Sequence, residues 1–159
     1  MKEKNILNNK EQKFILTELK KYEDPNAAVV ECLKYVQQRL KWISLDVIKE
    51  VSQIVSVPVS KIESIATFYS QIFRQPVGKN IIKYCDGVVC YINGYKKIEK
   101  TMSNYLKITP GNTTKDKKFT LIPICCLGNC DNSPTIMINE NLFSNVTNRK
   151  IINILENLR

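Results

Sequence analysis

Residues 80–95 read NIIKYCDGVVCYINGY, and residues 119–130 read FTLIPICCLGNC. Each opens on a short run rich in β-branched and aromatic residues and closes on cysteines set among polar or glycine positions, the pattern of a strand running into a loop. Ile81 to Tyr84 and Phe119 to Ile122 are therefore expected strands, with Thr135 to Ile138 a third. Between the first two, residues 91–106 carry helical periodicity. Beyond the third, Asn139-Glu140-Asn141 can turn the chain into Leu142-Phe143, and Thr147 can cap a last helix with Ile151, Ile154, Leu155 and Leu158 on one face. This order predicts a small layered α/β domain.

Four cysteines form two short pairs, each just after an expected strand. Four residues separate Cys85 from Cys90, and three separate Cys126 from Cys130. Loops leaving one edge of a sheet can bring such pairs together, and four thiolates in one place suit a soft-ligand metal. Structural zinc and a 2Fe-2S cluster both remain open, the longer gap favouring the wider cluster. Ordinary core cysteines seldom sit among Asp86, Gly87, Asn129 and Asp131, with Gly128 inside the second pair. Gly87 and Gly128 would let amides approach metal-bound sulfur closely and turn sharply. Successive residues at a strand end point opposite ways, so of Cys125 and Cys126 one should face the site and the other pack.

Composition narrows the chemistry. The chain has six cysteines and no histidine, which excludes Rieske ligation, Cys2His2 zinc and a Cys-His nucleophile. The opening MKEKNILNNKEQ reads as neither secretory signal nor transit peptide, so the expected location is cytoplasmic and the cysteines read as metal or redox residues rather than disulfides. No Cys-x-x-Cys pair exists to serve a thioredoxin-type disulfide enzyme. Net charge is +9, but the lysines are scattered and the arginines are only Arg39, Arg74, Arg149 and Arg159; no nucleic-acid partner is expected. The apolar stretches fall far short of the roughly 20 residues of a membrane helix, so any membrane association must come through partners. Without GxGxxG or a phosphate loop, neither flavin nor nicotinamide is assigned to this chain.

Upstream of residue 75 the pattern is helical. A first helix over 10–21 would turn Phe14, Ile15, Leu19 and Tyr22 to one face until Asp24-Pro25-Asn26 interrupts it. A second, over 27–40, carries Val29, Leu33, Val36 and Leu40, with Cys32 beside that stripe as a small buried residue. Ser44 can cap a third through Leu45, Ile48, Val51 and Val55, ended by Ser56-Val57-Pro58. Ser60 and Glu63 form a capping-box pattern ahead of a fourth helix running toward Phe73. Pro76 and Gly78 then break the chain, giving an expected helical region 1–77 and an α/β domain 78–159.

YCDGVVCYINGY (84–95), CLGNC (126–130) followed by Pro134, and ATFYSQIFRQPVGK (66–79) resemble the thioredoxin-like 2Fe-2S subunit of bacterial complex I, the E subunit of NADH-quinone oxidoreductase. The resemblance runs from about residue 12 onward. It implies an α+β chain: an N-terminal helical bundle followed by a thioredoxin-like α/β domain carrying one 2Fe-2S cluster on Cys85, Cys90, Cys126 and Cys130. The CLGxC motif selects Cys126 over Cys125. The implied role is electron transfer, the cluster exchanging one electron with FMN on a neighbouring NADH-binding subunit, with no active site in this chain alone. The large iron-sulfur subunit is the other implied partner, within a translocase whose peripheral arm lies on the cytoplasmic face of the inner membrane. Amides over 86–89 and 127–129 become candidates for tuning the cluster. The helical region and residues 68–78 become candidates for docking on the flavin subunit, unless Phe68, Tyr69 and Phe73 are core aromatics. Two departures stand out: Ser56 and Lys117 occupy positions where the family commonly has glycine. Each would cost about 1 kcal/mol if a positive φ is kept there. The alternatives are the diaphorase 2Fe-2S subunit of an NAD-linked hydrogenase or formate dehydrogenase, and a zinc-stabilised interaction module.

Overall fold

The computed structural model describes residues 5–158; Met1 to Lys4, the head of the segment read against a leader, and Arg159 lie outside the described residues. The chain divides into two compact units, Met1–Pro76 and Val77–Arg159.

The first unit is four helices: α1 (Asn9–Leu19), α2 (Pro25–Leu40), α3 (Leu45–Val55) and α4 (Val59–Phe68). Their starts follow side-chain chemistry. Asn8 and Glu11 form a reciprocal capping box on α1, Asp24 accepts from the Asn26 amide with Pro25 in the first turn of α2, and Ser44 accepts from the Val47 amide on α3. Ile15, Leu33, Ile48 and Ile62 are fully buried at the centre. Cys32 joins them, and burial pushes its thiol up to about 12. Arg39 on α2 grips the buried Glu11 carboxylate with Nε and Nη2, both at 2.8 Å, and Glu50 accepts from the Ile6 and Leu7 amides.

Several expectations give way here. Leu45 and Tyr22 are exposed rather than buried on their helix faces. Ser60 is not a cap: α4 starts after Pro58, and Glu63 instead pairs with Arg74, Nη2 to Oε2 at 2.7 Å. The helix ends at Phe68 rather than Phe73. Phe68 and Tyr69 are exposed, so neither is a core aromatic. Ser56 ends α3 at φ 56 and Lys117 holds φ 55, so both positions keep the left-handed backbone that glycine adopts without strain.

The second unit runs β1 (Asn80–Cys85), α5 (Val88–Ile92), α6 (Tyr95–Leu106), β2 (Phe119–Ile124), β3 (Ile136–Ile138), β4 (Asn141–Phe143) and α7 (Asn148–Asn157). The single helix expected over 91–106 is two, because Gly94 turns left-handed at φ 86 and restarts the chain. Four strands form a mixed sheet in the order β2-β1-β3-β4. β1 and β2 are parallel, Asn80 opposite Phe119 and Cys85 opposite Ile124, a pairing that needs a crossover, which α5 and α6 supply. β3 and β4 are antiparallel neighbours. Ile82, Leu121 and Ile136 from the sheet, Met102 from α6, and Ile151 and Leu155 from α7 make the core.

Candidate metal centre at the end of the parallel strands

Parallel strands finish at the same edge. With Cys85 level with Ile124, the loop after β1 and the loop after β2 leave the sheet side by side, and the two cysteine pairs leave with them. The Asp86 amide donates to the Ile124 carbonyl at 3.0 Å and the Cys85 amide to the Thr135 carbonyl at 3.1 Å, tying the first loop to both neighbouring strands. Asp86 is thereby excluded as a sulfur donor, contrary to its place among the expected tuning amides.

The pairs differ in burial. Cys85 and Cys90 are 3% and 2% exposed, whereas Cys126 and Cys130 are exposed. The Cys126 and Cys130 sulfurs lie 3.9 Å apart, close to the roughly 3.7 Å between two thiolates on one tetrahedral ion with bonds of about 2.3 Å. Cys90 interacts with Cys85 and Cys130, and Cys126 with Cys85 and Cys130, so the four thiols form one electrostatic group. They stand as neighbouring pairs: among the described residues, no three metal-binding side chains converge as a single ion would require.

Each sulfur has a distinct environment. Burial first, then Cys85, pushes the Cys90 thiol up to about 11, while the Thr135 amide donates to its sulfur and works the other way. The Gly128 amide, 3.3 Å from the Cys126 sulfur, lowers that thiol's pKa, with Cys130 adding to the effect. Cys130 is raised because its neighbour Cys126 carries the shared negative charge. Gly128 reaches this position at φ 73, so the glycine supplies both the turn and the donor. Gly87 serves differently: a Cβ there would overlap the Cys125 carbonyl oxygen and sit 3.5 Å from the Cys85 sulfur.

Cys125 does not pack, as one of the adjacent cysteines was expected to; its side chain is exposed. Its carbonyl is what meets the site, accepting from the Cys85 thiol at 3.8 Å. The side-chain roles of two residues escaped the sequence reading. Asn129 donates to Ser144 Oγ at 2.8 Å and to Thr135 Oγ1 at 3.3 Å, and the Thr135 hydroxyl donates back to the carbonyls of Asn129 and Asn132. This network holds the second cysteine loop against the start of β3. Polar residues beside cysteines were the only available signal, because the partners are distant in sequence.

Residues 15–159 match the family model of the thioredoxin-like 2Fe-2S ferredoxins. The chain belongs to this ferredoxin family. The NADH-quinone oxidoreductase E subunit of Buchnera aphidicola subsp. Baizongia pistaciae is 56% identical to it over 138 residues, covering 87% of this chain and 81% of that protein. The corresponding E subunit of Escherichia coli is 48% identical over 146 residues, covering 92% and 88%. The crystal structure of an NAD+-reducing NiFe-hydrogenase in the H2-reduced state has a similar fold, with a TM-score of 0.64 and 24% identity over 72% of this chain. The thioredoxin-like ferredoxin spans about a fifth of that hydrogenase chain, 19%, and the likeness is one of fold. The α+β architecture expected from the sequence is thus the ferredoxin's own. Among its described residues no helix is long and apolar enough to cross a membrane.

Proposed function

We propose that this chain is the electron-transfer 2Fe-2S subunit of a respiratory NADH:quinone oxidoreductase, holding one cluster on Cys85, Cys90, Cys126 and Cys130. The observation that supports it most is the meeting of two cysteine pairs at the shared end of β1 and β2, in a chain about half identical to E subunits of that oxidoreductase. The donor set fits the group: thiolates arrive in pairs, the 3.9 Å pair has the spacing of two ligands on one iron, and amides reach sulfur at Cys90 and Cys126. Bound there, a 2Fe-2S cluster supplies one-electron exchange. The chain's own residues set its surroundings. Buried Cys85 and Cys90 keep water from one side, and the Gly128 and Thr135 amides stabilise negative charge on sulfur, favouring the reduced form.

The electron partner is FMN on the NADH-binding subunit, with the large iron-sulfur subunit as a second neighbour, in a complex attached to the cytoplasmic face of the inner membrane. Residues 1–77 would serve as the helical region and 78–159 as the cluster domain. Exposed Phe68 and Tyr69 keep residues 68–78 as a docking candidate.

Iron and acid-labile sulfide assays with a visible spectrum, on anaerobically purified chain, test the assignment. Equal iron and sulfide should be lost in Cys→Ser variants at 85, 90, 126 and 130 and kept at 32 and 125. A colourless zinc protein would overturn the redox role.

A further inference from the structure

Helix α5 has five residues, and four are exposed apolar side chains: Val88 at 72%, Val89 at 37%, Tyr91 at 58% and Ile92 at 77%. Only Cys90 turns inward. Single surface apolar residues need no explanation, but four on one short helix make a patch of the kind that partners cover. Its position gives it meaning, since α5 carries Cys90 and begins three residues after Cys85, so a partner seated on it lies beside the first cysteine pair. Two exposed carboxylates, Asp86 beside Cys85 and Asp131 beside Cys130, fringe this edge. They stand out in a unit where lysine and arginine outnumber aspartate and glutamate.

We propose that α5 is the helix that docks on the flavin-bearing subunit: it enters an apolar recess of that protein while cationic side chains at the recess's rim meet Asp86 and Asp131. The inference rests on the electron-transfer reading above. Two features select this occupant. An electron donor must come close to the thiol pairs, and α5 is the apolar surface that itself carries one of their cysteines, Cys90. A carboxylate fringe favours a basic rim, whereas a second copy of this chain in a two-fold contact would set like carboxylates against each other.

The test uses the full cluster-loaded chain and the flavin subunit of the same complex. Val88→Glu combined with Ile92→Glu changes two side chains that are mostly exposed and leaves every cysteine and backbone amide in place, so the cluster should still load and the melting temperature should stay close to wild type. Affinity for the flavin subunit should fall about a hundredfold, as for a central hot spot. Asp86→Asn with Asp131→Asn should slow association and flatten its salt dependence. If wild type binds and the α5 double variant binds equally well, the docking helix is wrong and the electron-transfer reading stands. If loaded wild type does not bind the flavin subunit, both fall. If the double variant instead dissociates a homodimer and leaves flavin-subunit binding intact, the occupant was a second copy and the proposal is overturned.

Discussion

The described residues of the two units, 5–76 and 77–158, both build a buried apolar core, yet they finish differently. In the first unit several polar groups are met from within, Arg39 covering Glu11, Glu50 taking the Ile6 and Leu7 amides, and Gln37 accepting from the Phe73 amide and donating to the Gln71 carbonyl, while Asn26 Oδ1 and Arg74 Nη1 stay buried without a hydrogen bond. In the second, Ile82, Met102 and Leu121 are equally buried, but the edge where β1 and β2 end carries exposed thiols at Cys126 and Cys130 and the bare apolar residues of α5. The first unit is stabilised by what it contains. The second is shaped around what it receives, and its loops should depend on the metal in a way the helices do not.

The largest effect should come from removing iron with a chelator under reducing conditions. Hydrogen exchange over 125–135 should accelerate by at least about tenfold, since the second loop has no strand or α-helix pairing over 125–130 and is held by short-range backbone bonds such as the Asn132 amide to the Asn129 carbonyl and side-chain bonds such as Asn129 to Ser144, while α2 and α3 should be unchanged. Equal acceleration in both units would erase the contrast. Next, Leu33→Ala, at a fully buried position of α2, should cost about 2–5 kcal/mol in denaturant unfolding of the first unit while the native chain keeps its iron.

How far the sequence foretold this contrast depends on the range of the interactions involved. Ser44 and Thr147 were readable as caps because a cap acts on amides three residues away. The strands and the shared edge were readable from alternation and the cysteine pairs. Ser60 misled because Pro58 starts α4 earlier and Glu63 is taken by Arg74, eleven residues on. Cys125 misled for a similar reason: the alternation argument places its side chain, but its carbonyl is held by the Cys85 thiol across the strand pair. The bareness of α5 lay in the string VVCYI, where apolar residues occupy every side of a helix too short to bury more than one of them.

A smaller effect concerns Arg39. Burial alone would raise the pKa of Glu11, but the hydrogen bonds from Arg39 and the Asn8 amide outweigh it and hold the carboxyl below its ordinary 4.5. A depressed carboxyl stabilises the fold above its unfolded pKa and loses that contribution as pH falls through the folded value. Arg39→Met should therefore cost roughly 1.5 kcal/mol at neutral pH, the low end for charge-assisted bonds because Arg39 is nearly half in water. The difference from wild type should shrink below pH 4.5, as seen in unfolding at a series of pH values. Smallest, and opposite in sign, Ser56→Gly and Lys117→Gly should each raise stability by about 1 kcal/mol, since both positions keep positive φ. Together they test whether the two units carry similar backbone strain despite their different closures.

Gly87 has a consequence on another timescale. The Cys125 carbonyl oxygen occupies the space where any Cβ at position 87 would go, so no amino acid substitution at that codon is a small step. The chain is rich in lysine, isoleucine and asparagine, as AT-rich codons would produce. Position 87 offers no conservative exchange to such a drift, because any side chain there meets the backbone of the loop that presents the second cysteine pair.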